Sequence, residues 1–287
     1  MSNIKRQNSF KYLLLSGLSS VAFLVYTAVF VQIPDNNLKV HFFDIGQGAA
    51  IFIEAPNKNQ VLIDGGPDNI ILEKLGQVMP FYDKTIDLIV LTHPDADHLN
   101  GLIDVLKRYE VKQIMETGIL DNSANYQVWH NLIKEKNIPI SYAFLGETVN
   151  LDDGITMDIL SPSKNLAGSE TSNSNSTSIV SRLIYGENEF LFTGDADNSV
   201  EWQLVSMGLN LSADVLNVGH HGSKNSTSDI FLQAVNPRIA VIQAGRNNKY
   251  GHPHQEVLQK LKNVLILRTD INKDINFKSD GKNISYY

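Results

Sequence analysis

Thr92-His93-Pro94-Asp95-Ala96-Asp97-His98 decides how this chain is read. The apolar run Asp87-Leu88-Ile89-Val90-Leu91 precedes it and reads as a buried strand. Gly101 to Tyr109 follows, with apolar residues spaced three and four apart, the pattern of a helix. Four side chains able to ligate a cation therefore fall within six residues, in a tight loop at a strand end. Neutral imidazoles and carboxylates suit small divalent ions. A polar turn with Asp97 capping the helix would account for a single histidine there. The pattern His-x-Asp-x-Asp-His in this setting is read instead as a metal loop.

The same arrangement recurs downstream. Phe190-Leu191-Phe192 is an apolar strand that runs into Thr193-Gly194-Asp195, and Asp214 to Val218 is another that ends in Gly219-His220-His221-Gly222-Ser223. Upstream, Leu38 to Asp44, Ala50 to Glu54 and Val61 to Asp64 read as strands, with turns at Pro56 to Asn59 and Gly65-Gly66-Pro67. Helical faces are expected over Ile70 to Met79, Asn125 to Lys136, Ser199 to Met207, Asp229 to Ala234 and Gln255 to Leu261. Lys164 to Ser178, rich in Ser, Asn and Thr, is a loop within one domain. Strands in blocks with helices between them, and ligand-type residues at strand ends in both halves, describe an α/β scaffold holding a site between two sheets.

The 287 residues, 43% of them hydrophobic, suffice for a large core. There is no cysteine, so any metal is held by His, Asp, Glu or Asn, a donor set suited to zinc or manganese. At the N-terminus Lys5, Arg6 and Lys11 precede the twenty uncharged residues Tyr12 to Val31, about the length of a membrane-spanning helix. The basic flank stays cytoplasmic and places the remainder outside. No small-x-small cleavage signature lies near Val31, so an uncleaved anchor is expected rather than a cleaved leader and a secreted product. This gives a basic cytoplasmic segment at 1–11, a transmembrane signal anchor at 12–31, a linker at 32–37 and one domain at 38–287. Residues 1–32 hold three of the 24 basic side chains and none of the 31 acidic ones, leaving a net charge of −10 beyond them. Such a domain is not a basic nucleic-acid coat. If it handles phosphodiesters, metal ions must supply the local positive charge.

The ordered motifs resemble the metallo-β-lactamase fold and, within it, the extracytoplasmic nuclease-like domain of the ComEC family of competence proteins. The matching stretches are His41-Phe42-Phe43-Asp44-Ile45-Gly46-Gln47-Gly48, Val61 to Gly66, Leu91 to His98, Phe192 to Asp195, Val218 to Lys224 and Tyr250-Gly251-His252-Pro253. Leu267-Arg268-Thr269-Asp270 looks like the family's terminal strand. No stretch of the 287 residues resembles the family's membrane channel, and a single anchor is expected in its place. The resemblance implies a four-layer αββα sandwich with two metals between the sheets. Asp95 takes a position that is usually histidine, which hardens the site toward manganese. No histidine lies between 131 and 219, where the family usually has a ligand; Ser174, Asn175 and Ser176 occupy that region.

The resemblance assigns His93 and Asp95 to one metal, Asp97, His98 and His220 to the other, and Asp195 to a bridge. Paired cations generate hydroxide near neutral pH and stabilise the entering and leaving oxygens of an in-line displacement. Asp97 is expected to orient the nucleophile. His221 or His252 protonates the leaving oxygen or binds the phosphate; the sequence does not choose between them. Asp44 and Asp64, after apolar strands, are expected to hydrogen-bond ligand imidazoles. Gly46-Gln47-Gly48 reads as a tight turn rather than a phosphate cradle. Lys224, Arg246 and Lys249 are loop cations within reach of phosphates.

The expected function is a membrane-anchored, metal-dependent DNA phosphodiesterase outside the cytoplasm, associated with a DNA-uptake channel. The alternatives are hydrolysis of another small ester, such as an envelope phosphocholine ester, and a non-catalytic partner in DNA uptake.

Overall fold

The computed structural model describes residues 2–31 and 36–287, with side chains from 11–27 and from residue 36 onward. It divides into two units, Met1–Asn36 and Asn37–Tyr287. The first holds helix α1 (Ser2–Val31). Among the described residues no helix is long and apolar enough to cross a membrane. The span expected at 12–31 runs past the side chains described there, and most of the expected linker lies outside the described residues.

The second unit alternates strands and helices. Its strands are β1 (Leu38–Phe42), β2 (Ile51–Glu54), β3 (Gln60–Ile63), β4 (Thr85–Val90), β5 (Glu110–Glu116), β6 (Ile140–Tyr142), β7 (Thr148–Asp152), β8 (Ile155–Ser161), β9 (Val180–Tyr185), β10 (Asn188–Phe192), β11 (Val215–Asn217), β12 (Ile239–Ile242), β13 (Leu265–Arg268), β14 (Ile275–Ser279) and β15 (Ile284–Tyr286). The helices are α2 (Ile70–Val78), α3 (Ala96–Arg108), α4 (Ala124–Lys136), α5 (Asn198–Ser206), α6 (Asp229–Val235), α7 (Gln255–Lys260) and α8 (Thr269–Asn272). One sheet runs β15-β14-β1-β2-β3-β4-β5-β6, the other β13-β12-β11-β10-β9-β8-β7.

Period-two patterning builds the layers. On β3 and β4, Val61, Ile63, Leu88 and Val90 join Phe190 and Phe192 of β10 and Val241 of β12 in one core between the sheets. The intervening Leu62 and Ile89 face the other way, onto Leu75 of α2, Leu102 and Leu106 of α3 and Trp129 of α4. On the second sheet Leu191, Leu216 and Ala240 pack outward against Val200 of α5, Phe231 of α6 and Val257 of α7. Side chains alternate across a strand, so the same strands serve two cores. The result is two helix layers enclosing two sheets, the α/β arrangement expected from the motifs.

Three expectations are corrected. Helix α3 begins at Ala96, with Asp95 as its N-cap, so Asp97 and His98 sit in its first turn rather than in a loop. Strand β13 stops at Arg268, and Thr269–Asn272 turns into helix instead of extending a terminal strand. A last strand, β15, which the polar Ile284-Ser285-Tyr286 gave no pattern for, pairs with β14.

Helix α3 is pressed close against the turn after β3. Gly65 N–H donates to the His98 carbonyl at 2.8 Å, and Gly101 N–H donates to the Gly66 carbonyl at 2.9 Å. A Cβ on Gly101 would stand 1.9 Å from the Gly65 carbonyl oxygen and 2.7 Å from that of Asp68. Gly101→Ala is therefore expected to push α3 away, at a cost of about 1–3 kcal/mol, lowering Tm by roughly 2–12 °C. Thermal unfolding checks this; an unchanged Tm would contradict the close approach.

Candidate metal centre

The site is built where strand ends of both sheets meet. Thr92 and His93 follow β4, and Asp64 follows its parallel neighbour β3, with Ile63 opposite Val90. Asp195 follows β10, and His220 and His221 follow β11, which runs parallel to β10. His252 comes from the loop between β12 and α7.

Asp195 is the centre. Its Oδ1 lies 3.3 Å from His98 Nε2 and 3.6 Å from His221 Nε2. Its Oδ2 lies 3.6 Å from His220 Nε2 and 4.0 Å from His93 Nε2. Asp95 Oδ2 approaches His93 Nε2 at 3.7 Å, and Asp97 Oδ2 approaches His221 Nε2 at 3.5 Å. Donor atoms of His93, His98 and Asp195, and of Asp97, His98 and His221, each lie within 4.8 Å of one another.

The structure thus brings together all six residues assigned to metals: His93, Asp95, Asp97, His98, Asp195 and His220. It distributes the adjacent histidines differently from the expectation. His220 turns to the oxygen of Asp195 shared with His93. His221, expected to bind phosphate or protonate the leaving group, sits buried among Asp97, His98 and Asp195. Both histidines adopt left-handed backbone, with φ of 51° and 55°. Non-glycine residues pay for that conformation, and such strain gathers at functional sites. It is what sends two neighbouring rings to opposite oxygens of one carboxylate.

The imidazoles test whether a metal fits. His98 Nδ1 is 2.7 Å from Asp64 Oδ2, His93 Nδ1 is 3.0 Å from Thr92 Oγ1, and His221 Nδ1 is 2.9 Å from the Gln243 carbonyl oxygen. The Nε2 atoms of all three are buried without a hydrogen-bond partner. A ring tied at Nδ1, with a bare Nε2 aimed at a carboxylate, is the arrangement of a metal-ligating histidine. Orphaned buried polar atoms are costly; a divalent cation would satisfy three at once. Asp64 also accepts from Thr92 N–H at 2.8 Å and from Thr92 Oγ1–H at 2.8 Å, which locks the loop to β3.

The electrostatics agree. Burial, with repulsion from His98 next, holds His93 below its ordinary value. Burial opposes charge on His98 too, yet Asp195 and Asp64 hold it well above. Burial likewise opposes ionisation of Asp195, but His221 and His98 keep it well below the carboxylate range. Asp97 overcomes burial through its contact with His221 and falls to about 2. Positive charge is thus favoured where the carboxylates converge, and a cation would replace protons there.

His252 stands at the rim, its ring centroid 5.6 Å from that of His220 and 6.3 Å from that of His221. Burial first, then the neighbouring His221 and His220 rings, lowers it to about 4. It is neutral at pH 7 and donates or accepts hydrogen bonds rather than carrying charge.

Asp44 does not reach an imidazole. Its N–H donates to Asp274 Oδ1 at 2.7 Å and its carboxylate pairs with Lys273 at 3.3 Å. Gly48 proves to serve a close approach: a Cβ there would stand 2.3 Å from the Asp97 carbonyl oxygen. The stretch without histidine contributes in another way. Ser174 Oγ–H donates to Asp95 Oδ1 at 2.6 Å, and the Asn175 amide lies 3.4 Å from His220 Nδ1. Neither contact, nor those of Thr92 and Gln243, carries a motif, although Ser174 and Asn175 fall where a family ligand is missing.

This fold and this cluster define a class, and the chain belongs to the metallo-beta-lactamase superfamily, whose family model matches residues 43–246. More particularly, it is 34% identical over 260 residues to ComE operon protein 3 of Bacillus subtilis, covering 84% of this chain and 33% of that protein. It is 29% identical over 252 residues to competence protein ComA of Neisseria gonorrhoeae, covering 85% of this chain and 33% of that protein. The chain therefore spans about a third of the length of these curated relatives. Among solved structures, Igni18, a metallo hydrolase from Ignicoccus hospitalis, superposes with a TM-score of 0.55 at 16% identity, covering 84% of this chain and 98% of that one, a likeness of fold.

Proposed function

We propose that the chain is a metal-dependent phosphodiesterase acting on DNA, anchored by its N-terminal helix with the hydrolase domain outside the cytoplasm. The observation that carries this is the set of three buried imidazoles whose bare Nε2 atoms surround Asp195. His93, Asp95 and His220 would hold one divalent ion, Asp97, His98 and His221 a second, with Asp195 between them. Two such ions, manganese or zinc, would supply an activated water and neutralise charge on the phosphate. The carboxylate at Asp95 favours manganese. Asp97, whose side chain is 30% exposed, orients the attacking water. Neutral His252 hydrogen-bonds a phosphate oxygen. The relatives' link to competence supports DNA as the substrate and a DNA-uptake channel as the partner.

A second reading, hydrolysis of a small ester such as an envelope phosphocholine ester, is favoured by the acid-rich cleft beside the cluster, where Asp121 joins Asp95 and Asp97. The purified full chain in detergent, supplied with manganese or zinc, separates the two. DNA cleavage that is lost on chelation and in Asp97→Ala is the expected result. Turnover of phosphocholine esters, with DNA untouched, would replace the substrate.

A further inference from the structure

Beside the candidate metal centre lies a cavity of about 450 Å³ bordered by Asp95, Asp97, Asn100, Asp121, Asn125 and Tyr250. Asn100 sits three residues beyond Asp97 on α3, hence on the same face of that helix. Asn125 is in the first turn of α4 and donates through Nδ2 to Asn100 Oδ1 at 2.7 Å. Among the described residues, Asn100 Nδ2 and Asn125 Oδ1 make no further side-chain hydrogen bond, which leaves a donor and an acceptor side by side.

Tyr250 closes the other side with half its surface exposed. The backbone of its loop is tied together by Asn248. Asn248 accepts from Tyr250 N–H at 3.1 Å and from His252 N–H at 3.0 Å, and donates to the Gly245 and His252 carbonyls. The Tyr250 ring lies nearly parallel to His252, with centroids 5.7 Å apart, and Lys249 Nζ stands 5.1 Å from its centroid. The cavity therefore offers a half-exposed aromatic ring, a paired amide edge and three carboxylates, with the Lys249 amine over the ring.

That chemistry rejects a phosphate inside the cavity, since its wall is acidic. It accepts a flat, uncharged, hydrogen-bonding ring. We propose that the cavity takes an unpaired nucleobase of the substrate, stacked on Tyr250 and hydrogen-bonded to Asn100 and Asn125, while the adjoining phosphate lies toward the candidate metal centre, where bound cations would offset the charge of Asp95 and Asp97. This rests on the phosphodiesterase reading and narrows it to single-stranded or unstacked nucleic acid. A base in a duplex has both faces covered and cannot enter. Stacking on an aromatic side chain tolerates any base, because every base has a π-face. The amide pair adds an edge of the kind that asparagine presents to adenine. Lys249 lies where the flanking backbone would run.

The test is fluorescence anisotropy with the full chain in detergent and manganese, using phosphorothioate-linked decamers that resist cleavage: oligo-dA and an abasic decamer with the same backbone charge. The wild-type chain is expected to bind oligo-dA roughly 5- to 100-fold more tightly than the abasic strand. Tyr250→Ala should bring that ratio close to one, and Tyr250→Phe should retain it. Phe81→Ala, which removes an exposed aromatic remote from the site, should also leave it unchanged. Equal affinity for the two decamers in the wild type would overturn the proposal, as would a ratio indifferent to Tyr250→Ala. Displacement of the probe by phosphocholine but not by a mononucleotide would also overturn it. Failure to cleave ordinary DNA, with the affinity ratio intact, would remove the phosphodiesterase reading and leave the base pocket standing. Cleavage with a ratio near one would do the reverse.

Discussion

Replacing Asp195 by Asn is expected to abolish metal loading and hydrolysis together while leaving the fold intact. The substitution keeps the shape of a buried group and removes its charge. The two Asp195 oxygens serve different partners, Oδ1 facing His98 and His221, and Oδ2 facing His93 and His220. An amide would turn an N–H₂ group toward one of these pairs, and among the described residues no second anion bridges both. Asp64 provides the graded comparison. Of the imidazoles it touches only the far nitrogen of His98, at 2.7 Å, and it also holds Thr92, so Asp64→Asn should weaken metal affinity by about 10- to 100-fold. Asp195→Asn should exceed that range. Isothermal titration with manganese, steady-state hydrolysis and circular dichroism check the pair. Equal, modest losses in both variants would place Asp195 outside the metal shell.

The second large effect is on stability. A ligand that binds only the folded chain stabilises it by about 2.7 kcal/mol at a hundredfold excess over its Kd. For a domain of this size that corresponds to a rise of roughly 5–11 °C in Tm. Manganese or zinc should produce this rise in the wild type, chelator should reverse it, and Asp195→Asn should not show it. The rise should shrink as pH falls, because the ligating imidazoles must be neutral and the carboxylates ionised. Differential scanning calorimetry with and without metal measures all three. A Tm indifferent to metal would mean that the unpartnered Nε2 atoms serve some other purpose.

Several elements of this picture are visible in the sequence because they are local. Asp87 to His98 carries its strand, its loop and its ligand spacing in twelve consecutive residues. Asp64 could be paired with a ligand histidine in advance because it, too, ends an apolar strand. Asp44 shows the same local signal and does something else. The difference is strand order: β3 lies directly beside β4, so Asp64 ends up next to the metal loop, while β1 lies three places away and pairs with β14. Periodicity reports which residues share a face, not which strand is whose neighbour. The placement of His220 and His221 at different oxygens of Asp195 has a similar origin. Their left-handed backbone is a property of the turn after β11, and nothing in His-His announces it. The start of α3 at Ala96 was hidden because the first turn of that helix is made of the ligands themselves, with no apolar spacing to mark it. Asn100, Asn125 and Tyr250 come from three separate segments: packing of α3 against α4 joins the two asparagines, and the loop between β12 and α7 brings Tyr250 to them.

Element-specific anomalous diffraction from crystals of the chain soaked in manganese tests the central claim most directly. The account predicts anomalous peaks between the two sheets, within about 2.0–2.3 Å of the Nε2 atoms of His93, His98 and His221 and of the Asp195 carboxylate. A protein that takes up no cation there, or binds it only at surface carboxylates, would contradict it.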